Sequence, residues 1–262
     1  MSLVGIQKYA ILAALWLGAF SVGATAPQAP AGASPALTLG TPSAENTYAG
    51  SYLRRIYREL SRRTGLRIDI TTMPVARLTL EVANDKLDGD TARALAFAQT
   101  QPLLLRLEEP VMEVQLALWA TDPRVKLARL EDLGASGHSV TYPRGMLICE
   151  NALKPQQPAE RLIDVTGVVQ AIEMMHYGRN ALYCALDVSV LSEAQEFLPT
   201  KPMPLRVLNI GKPMPLFLYL QARHAPLVPS LLQALRRMRQ DGTQERLRRE
   251  SLQEFQFPAG SH

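Results

Sequence analysis

Apolar residues recur along this chain in two alternating rhythms, one of period 3.6 and one of period 2. Leu53, Ile56, Tyr57 and Leu60 fall at i, i+3, i+4 and i+7, with Arg54, Arg55, Arg58, Arg62 and Arg63 in the other positions. That spacing predicts an amphipathic helix ended by Gly65. Leu66, Ile68 and Ile70 then alternate with polar residues as a strand that Pro74 closes. A second helix is expected over Arg77 to Asn84, followed by a turn at Asp88-Gly89, and Val111 to Ala120 reads as a long extended segment.

After Asp132-Leu133-Gly134 comes a compact unit. It comprises a strand from Ser139 to Tyr142, a helix from Met146 to Leu153, a strand from Arg161 to Val165, a helix from Val168 to Tyr177 and a strand from Ala181 to Leu186. A βαβαβ series implies a parallel sheet with right-handed crossovers. Leu216 to Ala222 is a further strand. Two basic amphipathic helices, Val228 to Gln240 and Thr243 to Glu254, follow with Gly242 between them. No internal repeat of fixed period is seen. The fold class is therefore α/β.

Composition narrows the function classes. The 262 residues are 47% hydrophobic, enough for one large core or two small ones and too apolar for a disordered tail. Lys plus Arg is 28 against 24 Asp plus Glu, a dispersed +4 that does not announce a nucleic-acid binder, and 6% aromatic content argues against base-stacking platforms. The arginines of the first helix read as a solvated face in preference to an anion site.

The amino terminus carries an export signal pattern: Lys8, an apolar run from Tyr9 to Phe20, and small residues around Ala24. The run is short for a membrane-spanning helix. Residues 1–24 are thus expected to be a cleaved signal peptide and 25–36 a flexible Pro/Ala-rich lead-in, leaving a free periplasmic protein, because no cysteine precedes Cys149 to carry a lipid. His138, His176, His224 and His262 match no zinc spacing, so no metal and no cofactor are expected. No nucleophile elbow, Walker loop or dinucleotide fingerprint is found, and Asp164 and Asp187 read as turn or cap residues. In an oxidising compartment Cys149 and Cys184 are a disulfide or two buried thiols.

Several segments occur in an order that resembles the bacterial extracellular solute-binding proteins of family 3, which include periplasmic amino-acid receptors. They are Met73-Pro74-Val75-Ala76-Arg77, Asp88 to Arg93, Leu130 to Leu133 leading into Val140 to Gly145, Gly167 to Ile172 through Gly178-Arg179, and Leu231 to Gly242. The resemblance implies a two-lobed, type II periplasmic-binding-protein-like fold with a two-strand hinge. Lobe one would be discontinuous, 37–115 and 216–257, and lobe two would span 116–215 with the hinge strands. The cleft between them would hold a small anionic or zwitterionic solute for a membrane transporter or receptor, the protein being a monomer that binds no nucleic acid.

The sequence departs from the amino-acid receptors at two places, which points to a divergent branch. Their carboxylate-binding arginine would fall near Ala98 to Pro102, where none stands, and no aromatic residue occupies the loop at Thr41-Pro42-Ser43. The best anion-binding candidates are Arg93 and Arg77, because a guanidinium offers a planar fork to a carboxylate. Asp88 is expected to help position Arg93 for the ligand; the alternative for Arg93 is a structural ion pair with Asp88 or Asp90. Tyr142, Arg144 and Gly145 would face the cleft from lobe two. Two other readings are a periplasmic dehydratase or lyase on the same scaffold and a ligand-free protein-interaction module.

Overall fold

The computed structural model describes residues 36–193 and 203–255; the expected signal peptide and most of the lead-in lie outside the described residues. Strands β1 (Ala36–Thr41), β2 (Arg67–Thr72) and β3 (Gly89–Ala94) alternate with helices α1 (Tyr48–Thr64) and α2 (Val75–Ala83). The short α3 (Phe97–Thr100) leads into the long β4 (Leu105–Ala120). There follow α4 (Leu133–Ser136), β5 (Val140–Pro143), α5 (Leu147–Leu153), β6 (Leu162–Val165), α6 (Val168–His176), β7 (Leu182–Leu186) and α7 (Asp187–Glu193). The long β8 (Leu205–Leu220), α8 (Val228–Gln240) and α9 (Thr243–Glu254) complete the described chain.

One eight-stranded sheet runs in the order β2-β1-β3-β8-β4-β7-β5-β6. β1 is parallel to β2 and β3, and β5 is parallel to β6 and β7. Between these two parallel groups β4 and β8 run antiparallel to one another, and to β7 and β3 respectively. On one side of that central pair the helix stripe predicted from the sequence packs as Leu53, Ile56, Tyr57 and Leu60 against Leu37, Leu39, Leu231 and Leu235. On the other side, Trp119, Tyr183, Val168 and Ile172 form one core under α6, and Leu118, Val140, Cys149 and Cys184 form another under α5. Cys149 and Cys184 are disulfide-bonded there, with Cα atoms 6.1 Å apart.

The helix ends follow from local chemistry. Thr47 caps α1 through its Oγ1, which accepts from Gly50 N, and Gly65 closes the helix in the left-handed region at φ 72°. Two sequence expectations need correction. The turn expected at Asp88-Gly89 lies earlier: it ends with Asp88, whose N pairs with Thr38 O of β1, and Gly89 already opens strand β3. The other correction is in length: β4 starts six residues before Val111, and β8 starts at Leu205, eleven residues before Leu216. The early part of β8 reads as a loop because it contains Gly211, Pro213 and Pro215, and the ladder indeed shifts register between Val114 and Leu116.

Candidate functional site

Strand direction locates a shared focus. The carboxyl end of β3, Ala94, pairs with Leu216 of β8, and the carboxyl end of β7, Leu186, pairs with Leu116 of β4. β1 and β2 run with β3, and β5 and β6 run with β7. All six parallel strands therefore aim their carboxyl ends at the β4/β8 crossing, from opposite sides. In open α/β sheets that is where ligands bind.

The crossing itself is stitched by side chains. Buried Gln115 donates through Nε2 to Leu116 O at 2.8 Å and Ile210 O at 3.0 Å, bridging the interrupted ladder. Gly211 beside it has φ 68°, a left-handed backbone that favours glycine. Asp187, at the end of β7, accepts from Gln115 N at 2.9 Å and from Val188 N at 2.7 Å, and its other oxygen accepts from Arg206 Nη2 at 3.3 Å. Arg206 lies over the Trp119 ring, 5.1 Å from its centroid, and burial lowers its pKa. Asp187 was read from sequence as a turn or cap residue; it is the first residue of α7 and ties that helix to the crossing.

At the carboxyl end of β3, Arg93 donates from Nε to Asp90 Oδ2 at 2.6 Å and from Nη2 to Thr79 Oγ1 of α2 at 3.2 Å. Its guanidinium stacks 4.8 Å from the centroid of Phe97. Asp90 is fully buried; desolvation raises its pKa, opposed by the Arg93 charge. Arg93 thus makes the ion pair with Asp90 that the sequence allowed, and Asp88 is not its partner. Asp88 sits at the amino end of β3, away from the crossing, where it accepts from Thr38 N at 2.7 Å and Arg223 Nη2 at 2.7 Å and lies 2.6 Å from His224 Nε2. Burial raises its pKa, but those hydrogen bonds outweigh burial and hold it low.

The remaining candidates are dispersed. Arg77 stands in the first turn of α2 on the same side as Arg93, mostly exposed and 3.5 Å from Glu81. Arg144 follows β5, pairs with Asp164 and donates its backbone N to Val165 O at 2.8 Å. Gly145 beyond it takes φ 77°, and Tyr142 is half-buried against the core of that half. Arg77 and Arg93 thus share one side of the crossing, and Tyr142, Arg144 and Gly145 the other.

Two groups at this focus have a structural role that the sequence did not single out. Arg54, from the arginine stripe of α1, reaches Thr72 Oγ1 at 2.8 Å and the carbonyls of Ser43 and Gly50, clamping the loop after β1 to the end of β2. Asp90 was one of two acidic residues offered as a partner for Arg93, and its complete burial beside that guanidinium settles the pairing. Among the described residues no group of three or more His, Cys, Asp or Glu is placed to hold a metal ion.

No family model matches the chain. A Shewanella oneidensis protein that carries only the description "Uncharacterized protein" is 26% identical over 203 residues, 77% of this chain and 76% of that protein. Among solved structures, the L-cystine solute receptor of Neisseria gonorrhoeae superposes with a TM-score of 0.66 at 16% identity, covering 83% of this chain and 92% of that one. A probable amino-acid ABC transporter extracellular-binding protein of Bacillus subtilis gives 0.64 at 16% identity, over 84% and 98%. A histidine kinase sensor domain with similarity to periplasmic binding proteins gives 0.59 at 15% identity, over 84% and 96%. The fold is two-lobed and periplasmic-binding-protein-like, and the proteins it resembles in structure are consistently of the solute-binding type.

Proposed function

We propose that this protein captures a small carboxylate-bearing solute, anionic or zwitterionic, between the strand ends that face the β4/β8 crossing, and presents it to a membrane transporter or a sensor. The observation that carries this reading is the convergence of six parallel strands on one crossing, with Arg93 at its edge. Lobe one would comprise residues 37–115 and 216–257, and lobe two 116–215. Arg93 would anchor the carboxylate through the part of its guanidinium not engaged by Asp90 and Thr79, with Arg77 beside it. From the other lobe, Gly145 and the amino terminus of α6, which has no side-chain cap, would supply backbone N–H groups, with Tyr142 and Arg144 at the rim. Asp88 would act only by holding the amino end of β3. The protein would be exported as a monomer after loss of residues 1–24. Among the described residues no helix is long and apolar enough to cross a membrane.

A thermal-shift screen of the chain from residue 25 against amino acids, carboxylates and short peptides tests this. A solute at 100 times its Kd should stabilise the fold by about 2.7 kcal/mol. Arg93→Ala should then weaken binding about 30-fold or more, the cost of deleting a desolvated charge-assisted contact at about 1.4 kcal/mol per tenfold. Unchanged affinity would remove Arg93 from the site, and no shift with any solute would move the function to protein–protein contact.

A further inference from the structure

Exposed apolar side chains stand among the charged ones at the ends of the parallel strands. Eight large hydrophobic side chains are exposed among the described residues, and four of them stand directly after the carboxyl ends of the parallel strands. Val75, 48% exposed, opens α2 after β2, and Leu95, 57% exposed, follows β3. Across the crossing, Leu147 and Ile148, 65% and 38% exposed, form the first turn of α5 after β5. These positions belong to longer apolar stretches, Met73-Pro74-Val75-Ala76 and Ala94-Leu95-Ala96-Phe97 on one side and Met146-Leu147-Ile148 on the other.

The charges around them are internally compensated. Arg93 is held by Asp90, Arg77 by Glu81 and Arg144 by Asp164. A solute placed here meets little net charge and much aliphatic surface. Exposed apolar side chains grouped on opposed walls mark a surface that something covers, and a site between strand ends is covered by what enters it.

Resting on the solute-binding reading above, we propose that the solute carries an aliphatic group that fills the space between Val75 and Leu95 on one wall and Leu147 and Ile148 on the other. Chain length of the aliphatic group becomes the main determinant of affinity.

The test is calorimetric titration of the protein with two homologous series. One runs from L-alanine through 2-aminobutyrate and norvaline to norleucine, the other from acetate to hexanoate. Each added methylene that is buried should tighten binding about fourfold in whichever series binds, until the space is full. Leu95→Ser and Leu147→Ser, both at exposed positions that leave the core intact, should flatten that rise. If L-serine, L-glutamate or L-arginine binds and affinity is flat or falls with chain length, the aliphatic assignment is overturned and the solute-binding reading stands. If neither the homologous series nor the polar amino acids bind, both are overturned. A rise that both serine variants leave unchanged places the aliphatic group elsewhere and also overturns the assignment.

Discussion

Arg93 and Asp90 show how one pair can serve both fold and site. Asp90 is fully buried and the Arg93 side chain is 15% exposed, so removing the cation strands a carboxylate inside the protein, at a cost of roughly 3–5 kcal/mol. Arg93→Ala should therefore lower the melting temperature far more than Arg77→Ala, whose exposed pair with Glu81 is worth at most about 1 kcal/mol. Removing Asp90 as well should recover part of the loss, and thermal melts of the single and double variants read out that coupling. Glu59 supplies a pH signature: the hydrogen bond from Arg62, joined by that from Arg63, outweighs the burial that opposes it and lowers its pKa from 4.5 to about 2. A carboxylate with a lowered folded-state pKa stabilises fully above its ordinary range and loses that contribution as pH falls from about 4.5 through about 2. Glu59→Gln should flatten the melting-temperature decline across that window. At this scale the sequence was only partly legible: it offered Arg93 two acidic partners and could not choose, because the choice depends on which carboxylate the β3 ladder turns inward.

Among elements, the β4/β8 crossing matters most and was the least legible. Pro110, Pro213, Pro215 and Gly211 erase the alternation that would mark strands, yet the chain stays extended because Gln115 replaces ladder hydrogen bonds with its own amide. Gln115→Ala should cost about 1–3 kcal/mol by leaving those carbonyls unpaired, measured by urea unfolding. The helices were legible because their caps and apolar stripes are local: α8 and α9 were expected at the residues where they stand. The pairing of Cys149 with Cys184 joins α5 to β7, and both lie in one βαβαβ unit. Denatured, unreduced protein should show no titratable thiol from these two residues, and reduction should lower stability by roughly 2–4 kcal/mol; two free thiols would reject the bridge.

For the whole molecule, the alternation of strands and helices was sufficient to imply an α/β fold, and the order of its segments was sufficient to imply two lobes. The sequence could not show which candidate residues meet, since that depends on strand direction across a sheet of eight strands. Direction separates Arg93, at the carboxyl end of β3, from Asp88, just before its amino end, and it brings the ends of β1–β3 to face those of β5–β7. The claim that a solute sits between those ends is tested most directly by amide hydrogen exchange, with and without a saturating solute found in the thermal screen. Protection should concentrate in residues 72–76, 93–97, 143–148 and 166–170. Protection centred on the groove lined by Arg62, Ser230, Gln233 and Arg237, with those four segments unchanged, would contradict it.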